Sequence, residues 1–266
     1  MRVGLVIVVR AAVALVAAAA LSGVLSACGG SDDGAPAYVA LGDSYSSGVG
    51  AERYSHESGA CLRSSQSYVH QLGRKVTSFR ACAGASTDGV LDLQLKHFPA
   101  NTRLVTITVG GNDAGFLAVF STCLLRPAAS CDRRVAKAER YVRGELAGRL
   151  GHVYDAIRRR APKADVIVPG YPRLVERGPW CGEFGKLDDR EQRRLNEAAD
   201  LLATVMAAEV HRHRGFRFVD ARAAFAGHGA CADEPWINAS RSPGIYSFHP
   251  NVRGYVEYAR LIKPAL

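Results

Sequence analysis

Short strand-like stretches alternate along this chain with longer segments of helical spacing, and that alternation restricts the fold more than any other feature. Tyr38–Asp43, Ser78–Cys82, Leu104–Val109, Ala164–Val168 and Phe216–Asp220 read as strands, the third (LVTITV) largely apolar and β-branched. Between and after them, Ser65–Val76, Arg134–Arg160, Asp188–His211 and Asn251–Ile262 carry helical patterns. The third is the strongest, with an acidic start, an apolar side of Leu195, Ala198, Ala199, Leu202 and Val205, and bases at its end. Strands alternating with helices predict an α/β fold with a central parallel sheet covered on both faces. In such sheets ligands gather beyond the carboxyl ends of the strands.

The 266 residues suffice for one domain of about 200–250 residues or two small ones. At 48% hydrophobic the chain is no disordered segment, and its 27 Gly and 11 Pro show no collagen-like period. No repeat of solenoid or propeller length is visible.

The N-terminus carries an export signal. Residues 1–27 hold Arg2 and Arg10, no acid, and the apolar run Ala11–Leu21. The run ends in Leu25-Ser26-Ala27-Cys28, which resembles the bacterial lipoprotein cleavage box, in which the Cys becomes the lipidated first residue. The alternative is an uncleaved anchor helix over Ala11–Ala27. Either places the rest of the chain outside the cytoplasm, lipid-anchored on the outer face of the membrane or secreted. Residues 28–37 form a polar, breaker-rich tether, and the folded domain is expected over 38–266.

Seven cysteines fit that compartment. Setting Cys28 aside leaves Cys61, Cys82, Cys123, Cys131, Cys181 and Cys231, an even set in an oxidising space. Spacing alone does not choose among their possible pairings; nearest-neighbour pairing would close three modest loops, each worth about 2–4 kcal/mol. No Cys-x-x-Cys occurs, and His56, His70, His97, His152, His211, His213 and His228 lack metal-ligand spacing. The net charge of +9 is scattered. Its dense runs, Arg158–Arg160 and His211–Arg214, fall at helix ends and are expected to face solvent. Without a basic stripe interleaved with aromatics, a nucleic-acid partner is not expected.

The residues that carry chemistry lie where strands end. Asp43-Ser44 follows the first strand, Ala83-Gly84-Ala85 the second, Gly111-Asn112-Asp113 the third, and His249-Pro250-Asn251 precedes the last helix. Acyl transfer needs this set. A serine hydroxyl requires a base to take its proton, and a histidine, with an ordinary pKa of about 6.5, suits the task. Backbone N–H groups and an Asn amide can stabilise the oxyanion, each donor worth roughly 3–4 kcal/mol.

These blocks, Gly42-Asp43-Ser44-Tyr45, Gly84, Gly111-Asn112-Asp113 and His249-Pro250-Asn251, resemble in order those of the SGNH (GDSL-type) hydrolases. Together with Pro235-Trp236-Ile237-Asn238 they are most similar to secreted actinobacterial esterases and lipases with three disulfides. The resemblance runs from Tyr38 to the C-terminus. It implies a flavodoxin-like three-layer α/β/α sandwich and hydrolysis of carboxylic esters without metal or organic cofactor; the chain is expected to act as a monomer. It further implies Ser44 as nucleophile, His249 as general base, and the Ser44 N–H, Gly84 N–H and Asn112 side chain as oxyanion donors. The implied disulfides are Cys61–Cys82, Cys123–Cys131 and Cys181–Cys231. Asp43 and Asp113 are read as structural.

The chain departs from the family pattern at one place. The usual Asp three residues before the His is Tyr246 here, so no carboxylate acts from that position. By resemblance to members that use a backbone carbonyl, the carbonyl of Tyr246 or Ser247 is expected to orient His249, with a distant Asp as the alternative. A neutral acceptor implies a weaker base or a higher pH optimum. Gly48-Val49-Gly50 is no dinucleotide loop, and the Gly-x-Ser-x-Gly elbow of the α/β-hydrolases is missing. The expected activity is esterase or lipase. The same site could serve a carbohydrate O-deacetylase or a phospholipase, and a non-catalytic surface lipoprotein binding acyl or glycan ligands is the reading from another class. Substrate preference is expected to lie in loops at Ser46–Ser64, Phe116–Asp132 and Arg173–Lys186.

Overall fold

A computed structural model describes residues 37–242 and 244–266. The expected export signal, Cys28 and the expected tether up to residue 36 lie outside the described residues, and Ala37 is the first residue of the first strand rather than the end of the tether. Five strands, β1 (Ala37–Gly42), β2 (Ser78–Phe79), β3 (Thr102–Thr108), β4 (Asp165–Pro169) and β5 (Phe216–Val219), form one parallel sheet in the order β2-β1-β3-β4-β5. That is the doubly wound order whose direction of winding reverses between β1 and β3, opening a crevice at their carboxyl ends. Val39, Leu41, Val105 and Ile107 are fully buried because helices cover both faces of the sheet.

The helices are α1 (Ser44–Ser47), α2 (Tyr68–Gln71), α3 (Thr87–Gly89), α4 (Phe116–Leu125), α5 (Ala128–Tyr141), α6 (Ala147–Arg160), α7 (Asp189–His211) and α8 (Val252–Ile262). The long helical segment expected from Arg134 starts earlier, at Ala128 just after Pro127, and passes through a π-helical turn, Val142–Leu146, into α6. Asp188 caps α7 in a reciprocal capping box with Glu191, satisfying two N–H groups that a helix start otherwise leaves unpaired. Asn251 accepts from the Gly254 N–H and so starts α8.

Three expectations need correction. Phe116–Asp132, read as a loop, holds α4 and the start of α5. Its run Phe-Leu-Ala-Val-Phe-Ser-Thr-Cys-Leu-Leu is apolar nearly all round, so it lacks the one-sided pattern that marks a surface helix. Only Tyr68–Gln71 of the segment Ser65–Val76 is α-helical. Beyond Phe79 the second strand loses regular pairing, though the Arg80 and Cys82 N–H groups still donate to the carbonyls of Ala40 and Gly42.

In the basic runs Arg159, Arg160, His211, Arg212 and Arg214 are exposed as expected, and Arg158 and His213 are the exceptions. Arg158 donates to the carbonyls of Ala161, Pro162, Ala164 and Arg214, tying the end of α6 to the approaches of β4 and β5. His213 is tucked beside Tyr154 and Phe216, its side chain only 14% exposed. The disulfides Cys61–Cys82, Cys123–Cys131 and Cys181–Cys231 are all formed. Among the described residues no helix is long and apolar enough to cross a membrane.

Candidate active site

Ser44 opens the turn at the end of β1, and close backbone packing dictates that turn. Gly42 has φ +115°, and a Cβ there would lie 2.2 Å from the Thr108 carbonyl oxygen, so only glycine lets the ends of β1 and β3 approach this closely. The buried Gln94 amide bonds both the N–H and the C=O of Gly42, at 2.7 and 2.8 Å. Asp43 then caps α1 by accepting from the Tyr45 N–H at 3.0 Å. It also accepts from the Thr108 hydroxyl at 2.6 Å and from the Tyr171 hydroxyl. Burial pushes the Asp43 carboxyl up to about 6, against the pull of those donors.

Tyr171 also accepts from the Gly111 N–H at 3.2 Å. One phenol thereby holds together the turn after β1 and the turn after β3. Asp113 accepts from the N–H and hydroxyl of Thr87 and fixes the turn after β3 to the start of α3, just beyond Gly84. The Asn112 amide donates to the Ala85 carbonyl at 3.0 Å, which sets the plane of its Nδ2 and leaves its second N–H unused by that bond. Gly84 has φ +78°, with open space where a Cβ would stand.

The turn before α8 delivers the histidine. His249 Nε2 lies 2.8 Å from Ser44 Oγ and Nδ1 lies 3.0 Å from the Ser247 carbonyl oxygen. A carbonyl can only accept, so Nδ1 carries the proton and Nε2 is the acceptor facing the serine hydroxyl. Of the two carbonyls expected to orient the ring, that of Ser247 meets Nδ1, whereas that of Tyr246 accepts the backbone N–H of His249 at 3.3 Å. No carboxylate is hydrogen-bonded to His249 among the described residues. Burial lowers the imidazole from about 6.5 to about 4. The ring is therefore a weak base, already neutral at mildly acidic pH, which argues against the higher pH optimum that the missing Asp suggested.

Several residues that position this turn were not assigned roles from sequence. Asn238 clamps the His249 carbonyl through both its backbone N–H, at 2.9 Å, and its side-chain Nδ2, at 3.1 Å. Tyr45 OH donates to the Phe248 carbonyl at 2.7 Å. Phe248 itself adopts φ +60°, a conformation costing a non-glycine residue of order 1–3 kcal/mol, and such strain collects at functional sites. The signal for Tyr171 was present: it follows β4, at the carboxyl edge where ligands gather. Asn238 lies in the Pro-Trp-Ile-Asn stretch that sequence singled out without a role.

Ser44, Gly84, Asn112 and His249 border one cavity of about 250 Å³. Phe116, Leu117, Phe120, Leu124 and Leu125 of α4 line one side; Phe184, Ile245 and Phe248 line the rest. Of the three segments expected to set preference, α4 and Phe184 border this cavity, whereas between Ser46 and Ser64 no residue does. Chemically, the arrangement offers a hydroxyl beside a neutral base, N–H groups next to both, and an apolar slot for a hydrocarbon chain.

The comparisons agree with that chemistry. The signature of the GDSL-like Lipase/Acylhydrolase family matches residues 40–256. The chain is 42% identical to Lipase 1 of Streptomyces coelicolor over 90% of each chain. The crystal structure of an extracellular lipase from Streptomyces rimosus superposes with a TM-score of 0.81 at 42% identity, covering 87% of this chain and 100% of that one. A phospholipase A1 from Streptomyces albidoflavus NA297 superposes equally well at 40% identity, covering 88% and 100%. Both solved chains are thus matched from end to end within this one. A parallel α/β sheet, three disulfides and the ordered blocks at its carboxyl edge make this chain an ester hydrolase that belongs to the GDSL-like lipase/acylhydrolase family.

Proposed function

We propose that this is an exported serine esterase or lipase that cleaves carboxylic esters of long acyl chains through an acyl-enzyme on Ser44. The observation that carries the reading is the 2.8 Å contact between Ser44 Oγ and His249 Nε2 at the wall of an apolar cavity. His249 takes the serine proton as Oγ attacks the ester carbonyl, and the Ser247 carbonyl holds Nδ1–H as the ring becomes imidazolium. The oxyanion is met by the N–H groups of Ser44 and Gly84 and by Nδ2 of Asn112. His249 then protonates the departing alcohol and activates the water that releases the acid.

The lining favours acyl chains over acetylated sugars, since eight large apolar side chains face the slot. The likeness to a phospholipase A1 supports lipids among the substrates. Export is supported by the apolar leader ending at Cys28 and by three disulfides. The test is hydrolysis of p-nitrophenyl esters from acetate to palmitate, with Ser44→Ala and His249→Ala alongside. Turnover favouring longer chains and abolished by both substitutions is expected. A wild type that turns over none of these esters and resists fluorophosphonate labelling at Ser44 would make the binding-lipoprotein reading the better one. Cys28→Ser is expected to release the protein from the membrane fraction.

A further inference from the structure

Seven large apolar side chains are exposed among the described residues, and four of them stand at the mouth of the active-site cavity. Leu117 is 73% exposed, Leu125 61%, Ile245 49% and Phe184 38%. Scattered exposed leucines are ordinary, but a cluster at the mouth of a site marks an interaction surface. Two cations border it. Arg126 follows Leu125, and the Lys186 N–H donates to the Leu124 carbonyl at 3.3 Å. Neither side chain has an ion-pair partner among the described residues, and against these two cations stands one acid of the Lys186 loop, Glu183, which keeps its charge while accepting from the Ser242 N–H at 2.8 Å. The surface is therefore apolar at its centre and cationic at its border.

We propose that this rim docks on an anionic phospholipid surface and seats the cavity mouth against the bilayer. The inference rests on the esterase reading above and names where that site finds its substrate. The four apolar side chains enter the boundary between headgroups and acyl chains, while Arg126 and Lys186 meet lipid phosphates. An acyl chain can then pass from the bilayer into the slot beside Ser44 without crossing water.

Residues 34–266 are sedimented with vesicles of phosphatidylcholine and phosphatidylglycerol, in a Ser44→Ala background so that the lipid stays intact. Arg126→Gln with Lys186→Gln is expected to weaken vesicle binding about thirtyfold, from roughly fivefold per cation. The same pair in the active enzyme should leave hydrolysis of dissolved p-nitrophenyl butyrate unchanged. Leu117→Ser with Leu125→Ser should remove binding, and Leu93→Ser, equally exposed but away from the cavity, should not. Docking is overturned if the protein turns over the soluble ester yet never sediments with vesicles, or if the Arg126/Lys186 variant binds as the parent does. It is also overturned if the parent is a dimer that Leu117→Ser with Leu125→Ser makes monomeric, since the rim would then cover a second copy. Vesicle binding without any ester turnover by the active chain would sink the esterase reading and leave the docking face standing.

Discussion

Two histidines in this molecule invite comparison. His213, just past the end of α7, has Glu209 Oε1 2.9 Å from Nε2 and Asp155 Oδ1 3.4 Å from Nδ1. His249, before α8, has no carboxylate bonded to it among the described residues; its ring has the Ser247 and Ile245 carbonyls as backbone partners and the Ser44 hydroxyl on Nε2. By a rule that counts acids, His213 looks like the activated one. It borders the other end of the sheet, where β4 and β5 begin, and no serine hydroxyl is bonded to it. What would fit His249 for the proposed proton transfer is an open acceptor nitrogen, a fixed tautomer and a serine hydroxyl within reach. A carboxylate would hold the same tautomer and add charge; here the neutral carbonyl supplies the first without the second.

The comparison breaks most visibly by substitution. His249→Ala should lower kcat at least about ten-thousandfold, as loss of a base that acts as one unit with its nucleophile does. His213→Ala should leave kcat within about twofold, and ester turnover by the two variants side by side decides it. Next in size is Tyr171→Phe, which strands the Gly111 N–H and removes a donor from Asp43. It should cost roughly 1–3 kcal/mol of stability. It should also lower kcat more than it raises KM, because the turns after β1 and β3 lose their common anchor; equal kcat in parent and variant would refute that.

The pH profile sharpens the contrast further. With its imidazole held near 4, the free enzyme should show the acid limb of kcat/KM near pH 4 and be level by about pH 6; a limb at 6.5 would mean burial does not govern this ring. Stability carries the same signature in opposing parts. His249, lowered on folding, contributes stability present above pH 6.5 and lost as pH falls toward 4. Asp43, raised to about 6, contributes in the other sense, with stability present below about pH 4 and lost as pH rises through 6. The two slopes offset in the parent. Asp43→Asn should therefore lose stability more steeply than the parent between pH 6 and 4 in denaturant titrations. His213→Ala should cost folding less than Tyr171→Phe does, about 1 kcal/mol, because Glu209 Oε1 loses its 2.9 Å partner while Arg212 Nε stays 3.9 Å from Oε2.

Much of this was legible beforehand where the pattern and the chemistry coincide. Strand-end placement brought Ser44, Gly84, Asn112 and His249 into view, and they border one cavity because the sheet reverses its winding between β1 and β3. α7 declared itself through its acidic cap and one-sided apolar face. α4 did not, since a helix that faces a cavity on one side and solvent on another keeps apolar residues on both. The departure at Tyr246 signalled a missing carboxylate and narrowed the replacement to two carbonyls; choosing Ser247 needed backbone angles that no residue pattern encodes. Tyr171 showed its place, after β4, but not its role, and Gln94 showed neither, for another reason. Each acts through one long-range hydrogen-bond network, and their partners lie far away in sequence.

The Cys123–Cys131 bond fastens the end of α4 to α5 through a short loop. That helix supplies six of the residues lining the cavity, Ser121 among them, while the candidate nucleophile, base and oxyanion donors all come from other segments. Of the six, Phe116 has its ring 5.6 Å from that of His249. The molecule thus separates a conservative part from an improvisable one. Exchanges at Leu117, Phe120, Leu124 and Leu125 can drift the enzyme from short esters to long ones over generations of variants, on a stapled cassette whose revision leaves the chemistry where it stands.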